Sequence, residues 1–284
     1  DCWIPACAGM TACKVLEDPE MKLKPLLLLP ALIAFLTAPT LVSAAETARP
    51  LVVGMELAYP PFEMTDQNGK PSGVSVDLAT DLAKSLGRPV IIQNTAFDGL
   101  IPALKTGKVD LVISSMTATA EREKSIDFSD PYLSTGLCLL LKKDSAAQGI
   151  ADLDKAGVKV AVKKGTTGHL YASSRLKNAE ILVLDKESAA VLEVTQGKAD
   201  AFIYDQMSTY QNWQRNQATT RALLEPFQKE YWAVGLRKGN DELRNKVNLF
   251  IKEYREKGGF EQLGERYLKE MKSEFKRLGY SFFL

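Results

Sequence analysis

Histidine and deeply placed cysteine are almost missing from this chain. Its 284 residues hold one histidine, His169, and four cysteines, of which Cys2, Cys7 and Cys13 crowd the N-terminus and only Cys138 lies further in. One imidazole cannot build a multi-histidine metal centre, and no Cys/His cluster has ligand spacing, so neither a metal nor a cofactor is expected. A charge excess is also missing: 36 Lys+Arg stand against 35 Asp+Glu, a formal net charge of +1. That balance offers no electrostatic footprint for nucleic acid. There is no G-x-S-x-G, no H-E-x-x-H and no Walker loop, so no standard catalytic signature points to an enzyme. No apolar run approaches the roughly 20 residues that span a bilayer. What remains, 45% hydrophobic and 25% charged residues, is ordinary globular composition, which excludes a collagen-like or disordered chain. At roughly 150 residues per domain the length suggests two domains.

The N-terminus needs separate treatment. Lys22 and Lys24 precede the apolar stretch Leu26–Leu36, and the small-residue segment Val42-Ser43-Ala44-Ala45 follows it. An apolar stretch of about 11 residues between basic and small residues is the pattern of a secretory signal peptide. We read residues 21–44 as that signal, starting at Met21 and cleaved near Ala44, and residues 1–20 as spurious upstream translation. No cysteine directly follows the apolar stretch of the signal, so a freely soluble exported protein without a lipid anchor is expected. Cys138 then remains alone, within Leu137–Leu141, where it reads as a buried core thiol.

Beyond the signal, strand and helix periods alternate. Strands are predicted at Leu51–Met55, Val90–Ile92 and Val109–Ile113, with helices at Val76–Leu86 and Leu100–Lys105 stopped by Gly87 and Gly107. After a strand at Leu137–Leu141 the pattern restarts: a helix near Leu153, strand Val158–Val162, helix Leu170–Leu176, strand Ile181–Leu184, helix Ser188–Gln196 and strand Ala199–Ile203. A strand at Trp232–Leu236 and helices at Asp241–Lys257 and Phe260 to about Arg277 complete the chain, with an apolar tail from Tyr280 to Leu284 expected to pack against a lobe. This alternation predicts an α/β fold in two lobes. The lobes echo one another, since Gly107-Lys108-Val109-Asp110 corresponds to Gly197-Lys198-Ala199-Asp200. Each echo leads into a strand with polar residues at its carboxyl end, Ser114-Ser115 or Tyr204-Asp205, the edge at which open α/β sheets bind ligands.

Several residues at such edges could carry recognition. In Thr117-Ala118-Thr119-Ala120-Glu121-Arg122 a capping threonine precedes a helical turn, so Arg122 could fork onto a carboxylate or pair with Glu121 or Glu123 on the surface. Lys163-Lys164-Gly165-Thr166-Thr167-Gly168 lies between strand and helix and is either an anion-binding nest or a plain tight turn. Glu56 and Asp205 end strands, where each could meet a cation or merely cap a helix. Tyr59 and Phe97 could line an apolar slot or belong to the core.

Taken in order, several segments resemble the bacterial extracellular solute-binding proteins of family 3, the polar amino-acid type that serves ABC importers. The carriers are Tyr59-Pro60-Pro61-Phe62-Glu63, Phe97-Asp98-Gly99-Leu100-Ile101-Pro102-Ala103-Leu104, Gly107-Lys108-Val109-Asp110-Leu111, Ile126-Asp127-Phe128-Ser129-Asp130-Pro131-Tyr132 and Gly165-Thr166-Thr167-Gly168. Where the family usually has Gly-Phe-Asp-Val-Asp, this chain has Gly73-Val74-Ser75-Val76-Asp77, a departure expected to be remote from the pocket.

The resemblance implies a type II periplasmic binding protein-like fold: lobe 1 from 50–132 and 233–284, lobe 2 from 137–228, and crossover strands hinging near 132–136 and 229–233. It implies that Arg122 clamps a ligand α-carboxylate with the Thr117 and Thr167 amides, Thr166 standing beside them in the loop. Asp205 and the Ser115 carbonyl would receive the α-ammonium. Tyr59 and Phe97 would sandwich the side chain, and Glu56 would meet its far end. Lys163 stands where glutamine binders of the family have a lysine, and it could instead point outward. The resemblance further implies a monomer that hands a polar or basic L-amino acid to an inner-membrane ABC permease from the periplasm. Exported cyclohexadienyl dehydratases resemble the same fold and supply an enzymatic alternative, with Glu56 as an available general acid.

Overall fold

The computed structural model describes residues 49–280. The expected upstream segment, the signal peptide and the tail beyond Tyr280 lie outside the described residues. The first lobe opens with β1 (Leu51–Met55), a small hairpin of β2 (Met64–Thr65) and β3 (Pro71–Ser72), and helix α1 (Val74–Ser85). Strand β4 (Val90–Asn94), helix α2 (Phe97–Lys105), strand β5 (Leu111–Val112) and the one-turn helix α3 (Ala120–Glu123) follow. β1 lies in parallel register between β4 and β5. The period-3.6 residues Leu78, Leu82 and Ala83 of α1 bury against Leu51, Val53 and Met55 of β1.

Strand β6 (Ile126–Lys142) then carries the chain into the second lobe, where β7 (Lys159–Lys163), α4 (Thr167–Arg175), β8 (Glu180–Leu184), α5 (Glu187–Thr195), β9 (Ala201–Asp205) and α6 (Gln206–Arg215) repeat the parallel arrangement. Strand β10 (Thr220–Arg237) returns, and α7 (Asp241–Glu256), α8 (Gly259–Tyr267) and α9 (Lys269–Arg277) close the described chain. All strands but the hairpin form one sheet of order β4-β1-β5-β10-β6-β9-β7-β8. Its centre is the antiparallel pair β6–β10, which runs through both lobes, with Gly136 opposite Lys229, Thr135 opposite Glu230 and Leu133 opposite Trp232.

The sequence echo is a structural repeat. Gly107 and Gly197 both adopt left-handed backbone, with φ of 76° and 70°, after α2 and α5. The next aspartates then do the same thing in each lobe. Asp110 Oδ2 accepts from the Val52 amide at 3.0 Å, and Asp200 Oδ2 accepts from the Lys159 amide at 2.8 Å. Each carboxylate closes the end of its lobe's central strand, which explains why that residue type recurs at that spacing.

Four expectations change. The strands predicted at Leu137–Leu141 and Trp232–Leu236 are pieces of much longer strands, because the crossing segments mix exposed and buried residues and lack a continuous apolar run. The helix near Leu153 is a single 3-10 turn, Ile150–Leu153. The last predicted helix breaks at Leu268, whose φ of −127° separates α8 from α9 and lets Phe275 pack edge-on against Tyr210 of α6, 5.2 Å between ring centres. Helix α6 escaped the periodicity reading altogether, because the face it buries includes Ser208, Thr209 and Asn212 beside Met207 and Tyr210. Cys138 is buried, its thiol donating to the Leu224 carbonyl at 3.2 Å.

Candidate functional site

The carboxyl ends of the parallel strands converge on a cavity between the lobes. Glu56 follows β1, Ser115 and Thr117 follow β5, Lys163 ends β7 and Asp205 ends β9, so each reaches the cavity because its strand stops there. Tyr59, Phe97, Arg122, Thr166 and Thr167 also line it. All ten residues singled out in the sequence are thus brought together. Leu137, Glu63, Ser114, Tyr204, Glu230 and Trp232 line the same space and were not singled out as site residues.

Arg122 owes its place to a local cap. The Thr119 hydroxyl accepts from the Arg122 amide at 3.2 Å and starts α3, which turns the side chain inward. Its guanidinium is buried and is not paired with Glu121 or Glu123. Nη1 donates to the Thr117 carbonyl at 2.7 Å and Nη2 to the Gly165 carbonyl of the opposite lobe at 3.0 Å. Burial lowers its pKa to about 10, which still leaves it a cation at neutral pH.

The Lys163–Gly168 loop is less open than a nest. The Lys164, Gly165 and Thr166 amides donate to the Leu184 carbonyl, His169 Nδ1 and the Lys163 carbonyl, and the Thr166 hydroxyl caps α4 at the His169 amide. Thr167 and Gly168 keep amides without an acceptor among the described residues, at the positive end of α4. Gly168 is required there, since a Cβ would stand 2.6 Å from the Ile203 carbonyl oxygen.

Lys163 points inward, not outward. Its ammonium and the Glu56 carboxylate form an ion pair across the cleft, with the lysine side chain only 3% exposed. Phe97 meets two cations, with Lys163 Nζ and the Arg122 guanidinium carbon each 5.5 Å from its ring centre. Tyr59 stacks on Phe62 at 5.5 Å and stands edge-on to Trp232 at 6.0 Å, while its hydroxyl donates to Asp205 Oδ1 at 2.7 Å. That same oxygen caps α6 by accepting from the Met207 and Ser208 amides at 3.0 and 3.1 Å. No donor among the described residues reaches the other oxygen, Oδ2. Burial pushes the Asp205 carboxyl up to about 7.

Two unforeseen carboxyls complete the site. Glu230 Oε2 accepts from the Thr117 hydroxyl of one lobe and the Thr167 hydroxyl of the other, both at 3.0 Å. Burial raises its pKa despite those bonds. Glu63 Oε2 accepts from the Ser75 hydroxyl at 2.6 Å and the Ser115 hydroxyl at 3.1 Å, and burial pushes its carboxyl up to about 8. The Ser75 departure is therefore not remote from the pocket. The first turn of α1 docks on the loop carrying Glu63, with the Val74 and Ser75 amides donating to the Pro61 and Phe62 carbonyls at 3.1 and 2.8 Å. Among the described residues no group of three or more His, Cys, Asp or Glu could hold a metal ion.

Chemically, the cavity offers a cationic fork beside two open helix-end amides on one side and an acceptor oxygen on the other. Such an arrangement suits a small molecule carrying both charges. Comparison with known proteins agrees. The L-cystine-binding protein of Escherichia coli (strain K12) is 31% identical over 217 residues, 76% of this chain and 82% of its own. The L-arginine-binding protein of Pseudomonas aeruginosa is 32% identical over 255 residues, 86% of this chain and 96% of its own. A solved ancestral amino acid-binding protein, a precursor of cyclohexadienyl dehydratase, superposes with a TM-score of 0.70 at 40% identity, covering 77% of this chain and 95% of that one. The two-lobed sheet with its crossing strands is the type II periplasmic binding protein fold. Residues 51–270 match the family as a whole, and the chain belongs to the bacterial extracellular solute-binding proteins, family 3.

Proposed function

We propose that this protein captures a polar or basic L-amino acid in the cleft and delivers it to an ABC transporter permease. The observation that carries the reading is the pairing of a buried Arg122 with an Asp205 whose Oδ2 is open, in one cavity closed by both lobes. A zwitterion leaving water loses strong hydration, so each of its charges needs a hydrogen-bonded partner. Arg122 with the Thr167 and Thr117 amides suits the α-carboxylate. Asp205, with the Ser115 carbonyl, suits the α-ammonium. The space beside Phe97 and Tyr59 takes the side chain, whose far end faces Lys163 and Glu56. Because those two neutralise one another, the far end favours an uncharged polar side chain over a cationic one.

Closure couples to binding because Arg122 and Thr117 come from one lobe and Thr167 and Asp205 from the other. In this reading residues 50–132 with 233–284 turn against 137–228 about segments near 132–136 and 229–233. The protein works as a periplasmic monomer without a lipid anchor, exported by a signal cleaved near Ala44. In this reading it is a receptor and not an enzyme, which the cystine- and arginine-binding relatives support. One feature favours the second reading, a dehydratase-like enzyme: Glu63, a buried carboxyl in the cavity with its pKa raised to about 8, could serve as general acid. Glu56 cannot take that part while it accepts the Lys163 ammonium.

The test is thermal unfolding of refolded, ligand-stripped protein against glutamine, arginine, lysine, histidine, cystine, aspartate, leucine and prephenate. A ligand at 100 times its dissociation constant adds about 2.7 kcal/mol. Stabilisation by a polar or basic amino acid is expected. A preference for aspartate or leucine overturns the ligand class, and turnover of prephenate overturns the receptor reading.

A further inference from the structure

Ser115 is the non-glycine residue with positive φ among the described residues, at 49°. Residues with a Cβ adopt that conformation rarely, and it persists only where surrounding contacts hold it. Here the contact is a bond from the Ser115 hydroxyl to Glu63 Oε2. Glu63 sits in the loop before β2, 1% exposed, and its other oxygen lies 3.4 Å from the Ser114 hydroxyl. Ser114 Oγ in turn accepts from the Glu56 amide at 3.0 Å. The Glu63 main chain exchanges two bonds with Tyr59, amide to carbonyl in both directions, at 2.8 and 3.0 Å. Three cavity residues, Glu56, Tyr59 and Ser115, are therefore tied to a single carboxyl-bearing residue.

We propose that Glu63 is the positioning residue of the α-ammonium subsite, holding Ser115 in its left-handed turn so that the cavity floor between Glu56 and Thr117 keeps the shape the ammonium requires. The inference rests on the amino-acid-binding reading above. Glu63 itself needs no contact with the ligand. Its hydroxyl partners Ser75, Ser114 and Ser115 come from α1 and the β5 edge, so the carboxyl ties the start of α1 to the β5 edge beneath the site.

This role makes an uncommon prediction about Ser115. If only a hydroxyl contact mattered, Ser115→Ala and Ser115→Gly would be equivalent. If the turn matters, glycine should be the milder change, because it reaches positive φ without a Cβ penalty. Calorimetric titration of the full chain with the amino acid giving the largest thermal shift should show Ser115→Ala binding at least tenfold more weakly than Ser115→Gly. Glu63→Ala should lose at least tenfold relative to wild type, Glu63→Gln should lose less, and adding Ser115→Gly to Glu63→Ala should recover part of the loss. The loss in Glu63→Ala should be smaller for the α-deamino analogue of the same ligand, which lacks the ammonium. Equal affinities for Ser115→Ala and Ser115→Gly, or equal losses on both ligands, overturn the positioning role even if Glu63→Ala fails to fold. A wild-type protein that binds no amino acid would instead remove the reading on which the role depends.

Discussion

The Lys163 ammonium of one lobe and the Glu56 carboxylate of the other form a buried ion pair across the cleft. Removing one partner of such a pair leaves an uncompensated charge, at a cost of about 3–5 kcal/mol. Lys163→Met should therefore lower the unfolding temperature of the empty protein. A cationic ligand side chain could then take the place of the lost ammonium. The ratio of arginine to glutamine affinity should rise at least tenfold, about 1.4 kcal/mol. Competition titrations on wild type and variant measure that ratio directly, and an unchanged ratio would place the ligand side chain elsewhere.

Arg122 bridges the lobes even without ligand, through the Thr117 and Gly165 carbonyls. Two charge-assisted bonds to a ligand carboxylate contribute about 3–6 kcal/mol together. Arg122→Ala should weaken binding by a hundredfold or more while the circular dichroism spectrum stays native, since the guanidinium bonds to the Thr117 and Gly165 carbonyls at the cleft and belongs to neither lobe's core. Near-normal affinity in a calorimetric titration would remove Arg122 from the carboxylate subsite.

Much of this site was readable because charged and aromatic residues directly follow apolar strands, as Glu56 follows β1 and Lys163 ends β7. Glu230 was not readable in that way. It lies on β10 between exposed Lys229 and Tyr231, and its inward direction is shared with Trp232 two residues on. The period-2 alternation was the available signal, but a glutamate on the inner face of a strand runs against the usual pattern. Glu63 was hidden for another reason. Its burial depends on α1 docking over the Pro60-Pro61-Phe62 loop, a tertiary contact with no local periodicity. The lobe repeat, by contrast, was legible because its glycine and aspartate each have a backbone task that other residue types perform poorly.

Binding should depend on pH through Asp205, whose carboxyl burial pushes up to about 7. Below that value the empty protein holds the carboxyl protonated, and an arriving ammonium favours the ionised form, so binding releases a proton. Affinity for a non-titrating ligand such as glutamine should climb between pH 5 and pH 7 and level off above, by at most tenfold per unit. Titration at pH 6 in buffers of different ionisation heat counts the released proton. Asp205→Asn should flatten the profile, and a profile unchanged by that substitution would assign the effect to another group.

Glu63 makes the opposite kind of prediction, about stability in the empty protein. Its carboxyl titrates near 4.3 in an unfolded chain, and burial raises it to about 8 in the fold. Below pH 4 both states are protonated and pH has no effect through this group. Between about 4.3 and 8 the unfolded chain has released a proton that the fold retains, so stability falls as pH rises, and above 8 the loss is complete. Glu63→Gln removes this slope, at most about 1.4 kcal/mol per pH unit. The unfolding temperature of the variant relative to wild type should therefore increase steadily from pH 5 to pH 8. A difference that stays constant across that range would mean the carboxyl is already ionised in the fold at pH 5. A rising difference would mean wild type gives up stability at neutral pH to keep a carboxyl beneath Ser115, as expected of a residue retained for the geometry of a site and not for the fold.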